Sequence, residues 1–282
     1  MFSSVEEALP LAQGGNTDAL DFIVRQVQPK IYLLALRMLW HPEDAKDATQ
    51  EILLRIITNL GSFRGESIFF TWAYRIGANH LSGWRKSRLE SQELTFEAFG
   101  KDLQEGLTSP QTRPDEVVLY QEIRVGCTLG MLLCLDRPHR LAYILGEILE
   151  MDSVEASAVL EISGASYRKR LERARRQIVT FVQSHCGLAN PSNPCRCSRR
   201  VGQALKLNRV NPQQLLFAGN RRNAESFPQV LATIRKLEET QRAVSLYRSH
   251  PQQAVPDFTA AVRNLLGSSN WVGKNGTSTA NS

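Results

Sequence analysis

Between Leu20 and Met38 the apolar residues Leu20, Ile23, Val24, Val27, Ile31, Leu34 and Met38 return every three or four positions, the period of one face of an α-helix. The same period recurs along most of the chain, and alternating strand patterns are essentially missing. A chain whose repeating apolar stripes are helical buries them by packing helix on helix, so the sequence predicts an all-α fold. Pro29 falls inside the first stripe, which is therefore one kinked helix or two. His41-Pro42 breaks it, and Pro42 suits the first turn of the next helix. That helix, over 42–60, has an apolar face of Ala45, Ala48, Ile52, Ile56 and Leu60 and a polar face of Asp44, Asp47, Glu51 and Arg55. A glycine-bearing loop over 61–67 carries Phe63, and a further helix follows through 69–88. From 89 to 115 the period fades into a polar stretch suited to an extended linker. Helicity resumes at Glu116, and Pro138 opens a helix whose core face is Leu141, Ile144, Leu145 and Ile148.

The 282 residues are enough for two or three small domains with their own cores. The formal net charge of +6 leans modestly toward polyanionic partners. Its distribution says more. Arg168, Lys169, Arg170, Arg173, Arg175, Arg176, Arg196, Arg199, Arg200, Lys206 and Arg209 stand against Glu172 alone. The longest apolar run, Ile31 to Leu36, is far below the roughly 20 residues that span a bilayer, and the N-terminus lacks the basic-then-apolar order of a secretory signal. Five cysteines in this length make no disulfide scaffold. The expectation is a cytoplasmic protein without a membrane partner.

Asp152 and Glu155 have the spacing of a capping box, opening a short helix with Ala156, Val159 and Leu160 on one side. After a turn over 161–164, Tyr167, Leu171, Ala174 and Ile178 repeat at helical spacing, and the cations fall on the remaining surface. Two helices joined by about four residues, the second basic and amphipathic, describe a helix-turn-helix whose second member fits the major groove. A solvated basic helix in a bundle fits these residues as well. A membrane-surface helix fits less well, because the apolar face offers no Trp, Phe or stack of leucines.

The stretch from Ser153 to Ile178 resembles the C-terminal promoter-reading domain of bacterial sigma factors of the extracytoplasmic-function (ECF) group, with Lys169 to Arg175 matching its Ser- or Lys-Arg-Leu-x-Arg-Ala-Arg run. Glu161 departs from the pattern, standing where the turn commonly has glycine. The N-terminal half resembles the same group independently, through DAKDATQEILLRI and through SFRGESIFFTWAYRIGANHL, with Phe70 and Ala78 where relatives often carry a basic residue. The resemblance covers roughly residues 10 to 183. It implies a non-enzymatic initiation factor with core RNA polymerase and promoter DNA as partners, and an anti-sigma factor as a further expected partner. It divides the chain into an N-terminal sigma domain (1–88), a flexible linker (89–115), a C-terminal sigma domain (116–183) and a mainly helical extension (184–282). By resemblance, Asp47, Gln50, Glu51, Leu54 and Arg55 dock on polymerase. Phe63, Arg64 and Asn79 hold the melted minus-ten element, with Trp84, Arg85 and Lys86 near the adjoining duplex. Ser166, Arg168, Lys169 and Arg170 read the minus-thirty-five element, and Arg173 and Arg176 bind phosphates. Trp72 and Tyr74 belong to the core.

The extension opens with His185, Cys186, Cys195 and Cys197, four ligands of the kind a tetrahedral zinc site uses. Cys-x-Cys is tighter than the usual spacing, so a redox thiol pair and plain structural cysteines stay open beside zinc. No cofactor is required for the implied activity. Further on, Val230, Leu231, Ile234, Leu237 and Val244, then Phe258, Val262, Leu265 and Leu266, predict two amphipathic helices needing a surface to cover. These features suggest a regulatory module folded onto the sigma domains, for a stress, envelope, metal or redox regulon. The segment 267–282 reads as disordered. The alternative function is a helix-turn-helix regulator with a metal- or redox-sensing cysteine module. No phosphate loop, triad or metal-hydrolase motif points to an enzyme.

Overall fold

The computed structural model describes residues 2–86, 90–92, 94–108, 117–218, 227–251 and 254–268. The expected disorder after 268 and most of the second half of the expected linker lie outside them. The described residues form α-helices and short 3-10 turns, with one isolated parallel β-bridge. The first module is α1 (Val5–Gln13), α2 (Thr17–Leu39), α3 (Pro42–Thr58) and α4 (Phe69–Gly83). Pro29 lies inside α2 without ending it. Val27 and Ile31 on either side of it are buried in the same core, which holds the helix together across the missing N–H. Trp72 and Tyr74 are buried, as their spacing predicts.

The stretch expected to be an extended linker holds a helix, α5 (Phe96–Gln104). Thr95 caps it, its side chain accepting from Ala98 N at 3.1 Å. The rings of Phe96 and Phe99 lie 5.2 and 5.6 Å from that of Phe181. Three apolar residues are too few to declare a period, yet enough once Phe181 offers them a surface. The second module contains α6 (Val117–Leu133), α7 (Arg137–Tyr143), a π-helical turn (Ile144–Ile148), α8 (Ser153–Val159) and α9 (Gly164–His185). The wide turn brings Gly146 against α9, where a β-carbon would stand 2.3 Å from the Tyr167 hydroxyl.

The two modules face each other across buried charge. Arg140 is 1% exposed and donates to Met38 O at the end of α2 (2.6 Å), and to Leu132 O (2.9 Å) and Leu135 O (2.9 Å) at the end of α6. Its Nη1 also lies 3.0 Å from Glu90 Oε1. Arg137 donates to both Glu90 oxygens (3.0 and 2.7 Å) and to the Ser82 carbonyl at the end of α4 (3.0 Å). A cation collecting helix-terminal carbonyls satisfies groups that the helices leave open.

The extension covers both modules. Its helices are α10 (Cys197–Lys206), α11 (Phe227–Ile234), α12 (Glu239–Arg248) and α13 (Thr259–Ser268). One of the two expected helices is thus divided near Leu237, and Val230 is exposed rather than on the packed face. α10 packs on α6, α12 on α6 and α9, and α13 returns to α2 and α3. Three anchors are polar. The Glu122 carboxylate accepts from the amides of Leu216 (2.7 Å), Phe217 (2.8 Å) and Ala218 (2.7 Å). Arg124 donates to Leu246 O, Ser249 Oγ and Ser249 O at the end of α12 and lies 3.9 Å from the Phe227 ring centroid. Phe258 N donates to Gln28 Oε1 at 3.0 Å.

His250 pairs with the Thr128 hydroxyl at 2.6 Å. Desolvation first, then the Arg124 and Arg37 guanidiniums, hold it well below the usual imidazole value. Unfolding therefore takes up a proton once the pH falls below the free value of about 6.5. Its contribution to stability is complete above that pH and declines below it, by at most about 1.4 kcal/mol per unit. Urea unfolding between about pH 7.5 and about pH 5.5 is expected to show this slope in the wild type and a shallower one in His250→Gln. Parallel curves would remove the assignment.

Candidate nucleic-acid interface

α3 starts at the break the sequence announces, with Pro42 in its first turn and His41 Nδ1 accepting from Glu43 N at 3.2 Å. Its buried stripe of Ala45, Ala48, Ile52 and Ile56 faces the core. Asp47, Glu51 and Arg55 are exposed; Gln50 and Leu54 are half-buried. Between α3 and α4 lies a groove of about 1060 Å³. It gathers Asp47, Gln50, Glu51, Arg55, Asn79, Trp84 and Arg85, seven of the residues expected to meet polymerase or DNA. Leu54, Phe63, Arg64 and Lys86 do not line it, whereas Asn59, Ser62, Ile76 and His80, which the sequence reading missed, do.

The groove is internally compensated. Arg85 lies 3.7 Å from Asp44 and 3.5 Å from Asp47, so an expected DNA contact leans on an expected polymerase contact. His80 Nε2 is 3.4 Å from Glu51. Burial first and Arg55 second hold His80 below its ordinary value, against the pull of Glu51. Trp84 stacks near His80, with ring centroids 5.0 Å apart. Phe63 is half-buried, 5.5 Å from Phe69 and 5.3 Å from Trp72 in an aromatic cluster. The Gln13 amide fixes its loop by donating to Leu60 O and Phe63 O at 3.1 and 3.0 Å. Arg64 and Lys86 are exposed.

On the second module, Asp152 Oδ1 accepts from Val154 N and Glu155 N, both at 2.8 Å. Only half of the expected capping box forms. The Glu155 carboxylate turns instead to the first module, where it accepts from Thr71 Oγ1 at 3.2 Å. α9 is capped by Ser163, whose Oγ accepts from Ser166 N (3.2 Å) and bonds Ser166 Oγ (2.9 Å). Ser166 is thus already engaged. Tyr167, Ala174 and Ile178 are buried and Leu171 is half-buried, so the cations project outward. Arg168, Lys169, Arg173 and Arg176 are exposed, and Arg170 is half-buried. Arg176 pairs with Glu172 at 2.9 Å, and Arg175 is bound to Glu147 of the π-helical turn. Among the described residues Arg168, Lys169 and Arg173 have no ion pair.

Glu161 occupies the left-handed region at φ 53°, the conformation that glycine adopts without cost. The turn therefore keeps a glycine-like backbone, and the side chain gained there reaches across to Asn79, accepting from its Nδ2 at 2.9 Å. Glu161→Gly is expected to relieve about 1 kcal/mol of backbone strain while freeing Asn79. Its Tm is expected to stay level or rise, and its affinity for a single-stranded minus-ten oligonucleotide to increase several-fold. Weaker oligonucleotide binding would refute this role for Glu161.

The cysteine run is arranged differently from the expected ligand set. The His185 ring stacks on Phe181 at 4.5 Å and its Nδ1 lies 3.1 Å from Phe181 O, beside Gly100 of α5. Cys186 and Cys195 pair across the parallel bridge, with Gly187 N donating to Cys195 O at 3.1 Å. Among the described residues no group of three or more His, Cys, Asp or Glu side chains is placed to hold a metal ion. Burial first, then the neighbouring cysteines, push Cys195 up to about 11 and Cys197 up to about 12. Protonated thiols of this kind are slow nucleophiles, which tells against a reactive redox pair.

No helix among the described residues is long and apolar enough to cross a membrane. Residues 23–89 match the family model of sigma-70 region 2, covering α3 and α4 and most of α2. Over 176 residues the chain is 28% identical to the ECF RNA polymerase sigma factor SigW of Bacillus subtilis (strain 168), an overlap of 61% of this chain and 92% of that protein. It is 29% identical over 163 residues to the RNA polymerase sigma factor YlaC of the same organism, covering 58% of this chain and 91% of that one. It is 28% identical over 177 residues to the ECF RNA polymerase sigma-E factor of Escherichia coli (strain K12), covering 61% and 90%. Helix order, groove and basic helix accord with these likenesses: residues 23–89 match sigma-70 region 2, and the chain is similar to ECF RNA polymerase sigma factors over about nine tenths of their length.

Proposed function

We propose that this chain binds core RNA polymerase and directs it to begin transcription at defined promoters. α9 reads the minus-thirty-five element, and the groove between α3 and α4 serves polymerase and the melted minus-ten strand. The observation that carries this reading is the exposed cationic face of α9, with Arg168, Lys169 and Arg173 free of ion pairs among the described residues, in a chain whose first module matches sigma-70 region 2. Guanidinium and ammonium groups at the N-terminal end of such a helix reach base edges, and those further along meet phosphates. The activity needs no cofactor. It belongs in the cytoplasm, where transcription takes place.

Lys169→Ala is expected to lower run-off transcription from the cognate promoter by about tenfold, the loss of roughly 1–3 kcal/mol of base discrimination. Binding to core polymerase should stay unchanged in a pull-down. Equal loss of both would show that α9 does not work separately from the polymerase contacts. Run-off transcription by core polymerase plus purified chain on genomic fragments tests the whole reading: no defined start site, no sigma factor.

The extension is read as an internal restraint acting in place of, or beside, an anti-sigma partner. It binds α6 and α9 of one module and α2 and α3 of the other. The closed arrangement it supports occupies Asn79 with Glu161 and Thr71 with Glu155. Promoter melting needs that face of α4, so transcription requires the modules to part.

A further inference from the structure

Cys127 reads in sequence as one more small apolar residue of α6. In the fold it faces the cysteine run of the extension. α10, which begins at Cys197, packs along α6, and Cys127 lies close enough to Cys186, Cys195, Cys197 and Arg200 to couple with them electrostatically. Arg124, one turn before Cys127, acts on Cys197, and Arg200, one turn after Cys197, acts on Cys127. Two adjacent turns of α6 therefore lie against the first turn of α10. Cys186 and Cys195 join from the bridge, where paired residues project to the same side. His185 has turned away to Phe181.

Burial outweighs the backbone N–H groups of Leu188 and Ala189 that donate to the Cys186 sulfur and holds it protonated, but donors of this kind support a metal-bound cysteine. Arg124 and Arg200 are 2% and 6% exposed and flank the cluster with fixed positive charge. The cysteines themselves are half-buried at the core edge. As neutral thiols they have no reason to converge, which accords with their not being gathered to ligating distance.

We propose that Cys127, Cys186, Cys195 and Cys197 form a tetrathiolate site for a thiophilic divalent cation such as Zn²⁺, fastening the extension to the promoter-reading module. Binding converts four S–H groups and one Zn²⁺ into a tetrahedral tetrathiolate, releasing four protons to the buffer. No electron is transferred. The 2− charge of the product faces Arg124, and Arg200, itself paired with Asp102 at 2.9 Å, lies on the other side. Four sulfur ligands and no open position make the site structural rather than catalytic.

The full-length chain, reduced and metal-free, is titrated with Zn²⁺ and with Co²⁺. One ion per chain is expected, with proton release measured by calorimetry in buffers of different ionisation enthalpy. The Co²⁺ form should show thiolate charge-transfer bands and the strong visible bands of tetrahedral geometry. X-ray absorption of the Zn²⁺ form should give four sulfurs at about 2.3 Å and no nitrogen, a result that needs no variant and survives any folding defect. Cys127→Ser is expected to weaken Zn²⁺ binding at least 100-fold, as Cys197→Ser does, whereas His185→Ala and Cys134→Ser bind like the wild type. Three sulfurs with one nitrogen, or loss of binding in His185→Ala but not in Cys127→Ser, would overturn the ligand set. Binding of no ion, or a Cys186–Cys195 disulfide that forms in its place, would overturn the site.

Discussion

Replacing Arg140 with methionine is expected to lower the free energy of unfolding by about 3–5 kcal/mol, the cost of breaking a buried charge pair by removing one partner. Arg140 donates to carbonyls at the ends of α2 and α6 and pairs with Glu90. Methionine fills much of the volume but donates nothing, so the Met38 and Leu135 carbonyls lose the guanidinium, Leu132 O retains the Leu135 amide, and Glu90 loses Arg140 while Arg137 remains. The loss corresponds to a fall in Tm of roughly 10 °C for a chain of this size. Arg140→Lys restores charge but not the fork geometry, and should recover only part of the loss. Urea unfolding with Glu90→Gln in a double-mutant cycle separates the ion pair from the carbonyl contacts. A cost below about 1 kcal/mol for Arg140→Met would mean that water reaches those carbonyls freely, because solvated groups lose little with their partner.

The second large effect is on activity. Phe217→Ala is expected to raise transcription at limiting protein concentration at least tenfold while lowering Tm. Phe217 is 4% exposed, and its ring lies 5.5 Å from Trp40 of the first module and close against Gly126 of the second. Trp40 Nε1 also donates to Gly126 O at 2.9 Å, so one side chain wedges the junction that joins both modules to the extension. Truncating a buried phenylalanine to alanine costs about 3–5 kcal/mol. If most of that falls on the closed form, the modules part roughly 100-fold more readily. Glu122→Gln tests the same anchor through its three amides. These variants are cleaner than cutting the chain near Ser184, which would also strip Tyr247 and His250 from beside Val125 and Leu129. A variant that melts earlier yet transcribes no better would show that the extension supports the fold without restraining it.

The periodic stripes made the helices legible, because each spans enough turns to declare its face. The recognition helix was legible for the same reason: Tyr167, Ala174 and Ile178 fix one side, and the cations must take the other. What escaped depends on distant meetings. Arg140 reads as one more cation until the ends of α2 and α6 converge on it. Glu161 and Asn79 stand 82 positions apart, so the turn's departure from glycine could be seen but its partner could not. The cysteine run misled through adjacency. His185 and Cys186 are neighbours in sequence, but at a helix end consecutive side chains diverge by about 100°. His185 therefore goes to the Phe181 side and Cys186 to the bridge, and in the site proposed above the fourth sulfur comes from Cys127, 59 positions before Cys186. α5 carries its signal in Phe96, Phe99 and Leu103, too short a pattern to read without the surface it covers.

The hydrogen bond from Phe258 to Gln28 joins residues 230 positions apart, and this gives the protein an order of events during synthesis. Domains generally fold as units from the N-terminus as they leave the ribosome. Both N-terminal modules are thus translated before the segment that packs on them exists. If the extension restrains the modules as proposed, a freshly made chain passes through an interval in which polymerase can capture it unrestrained, and the tempo of translation over the last third sets how long that interval lasts.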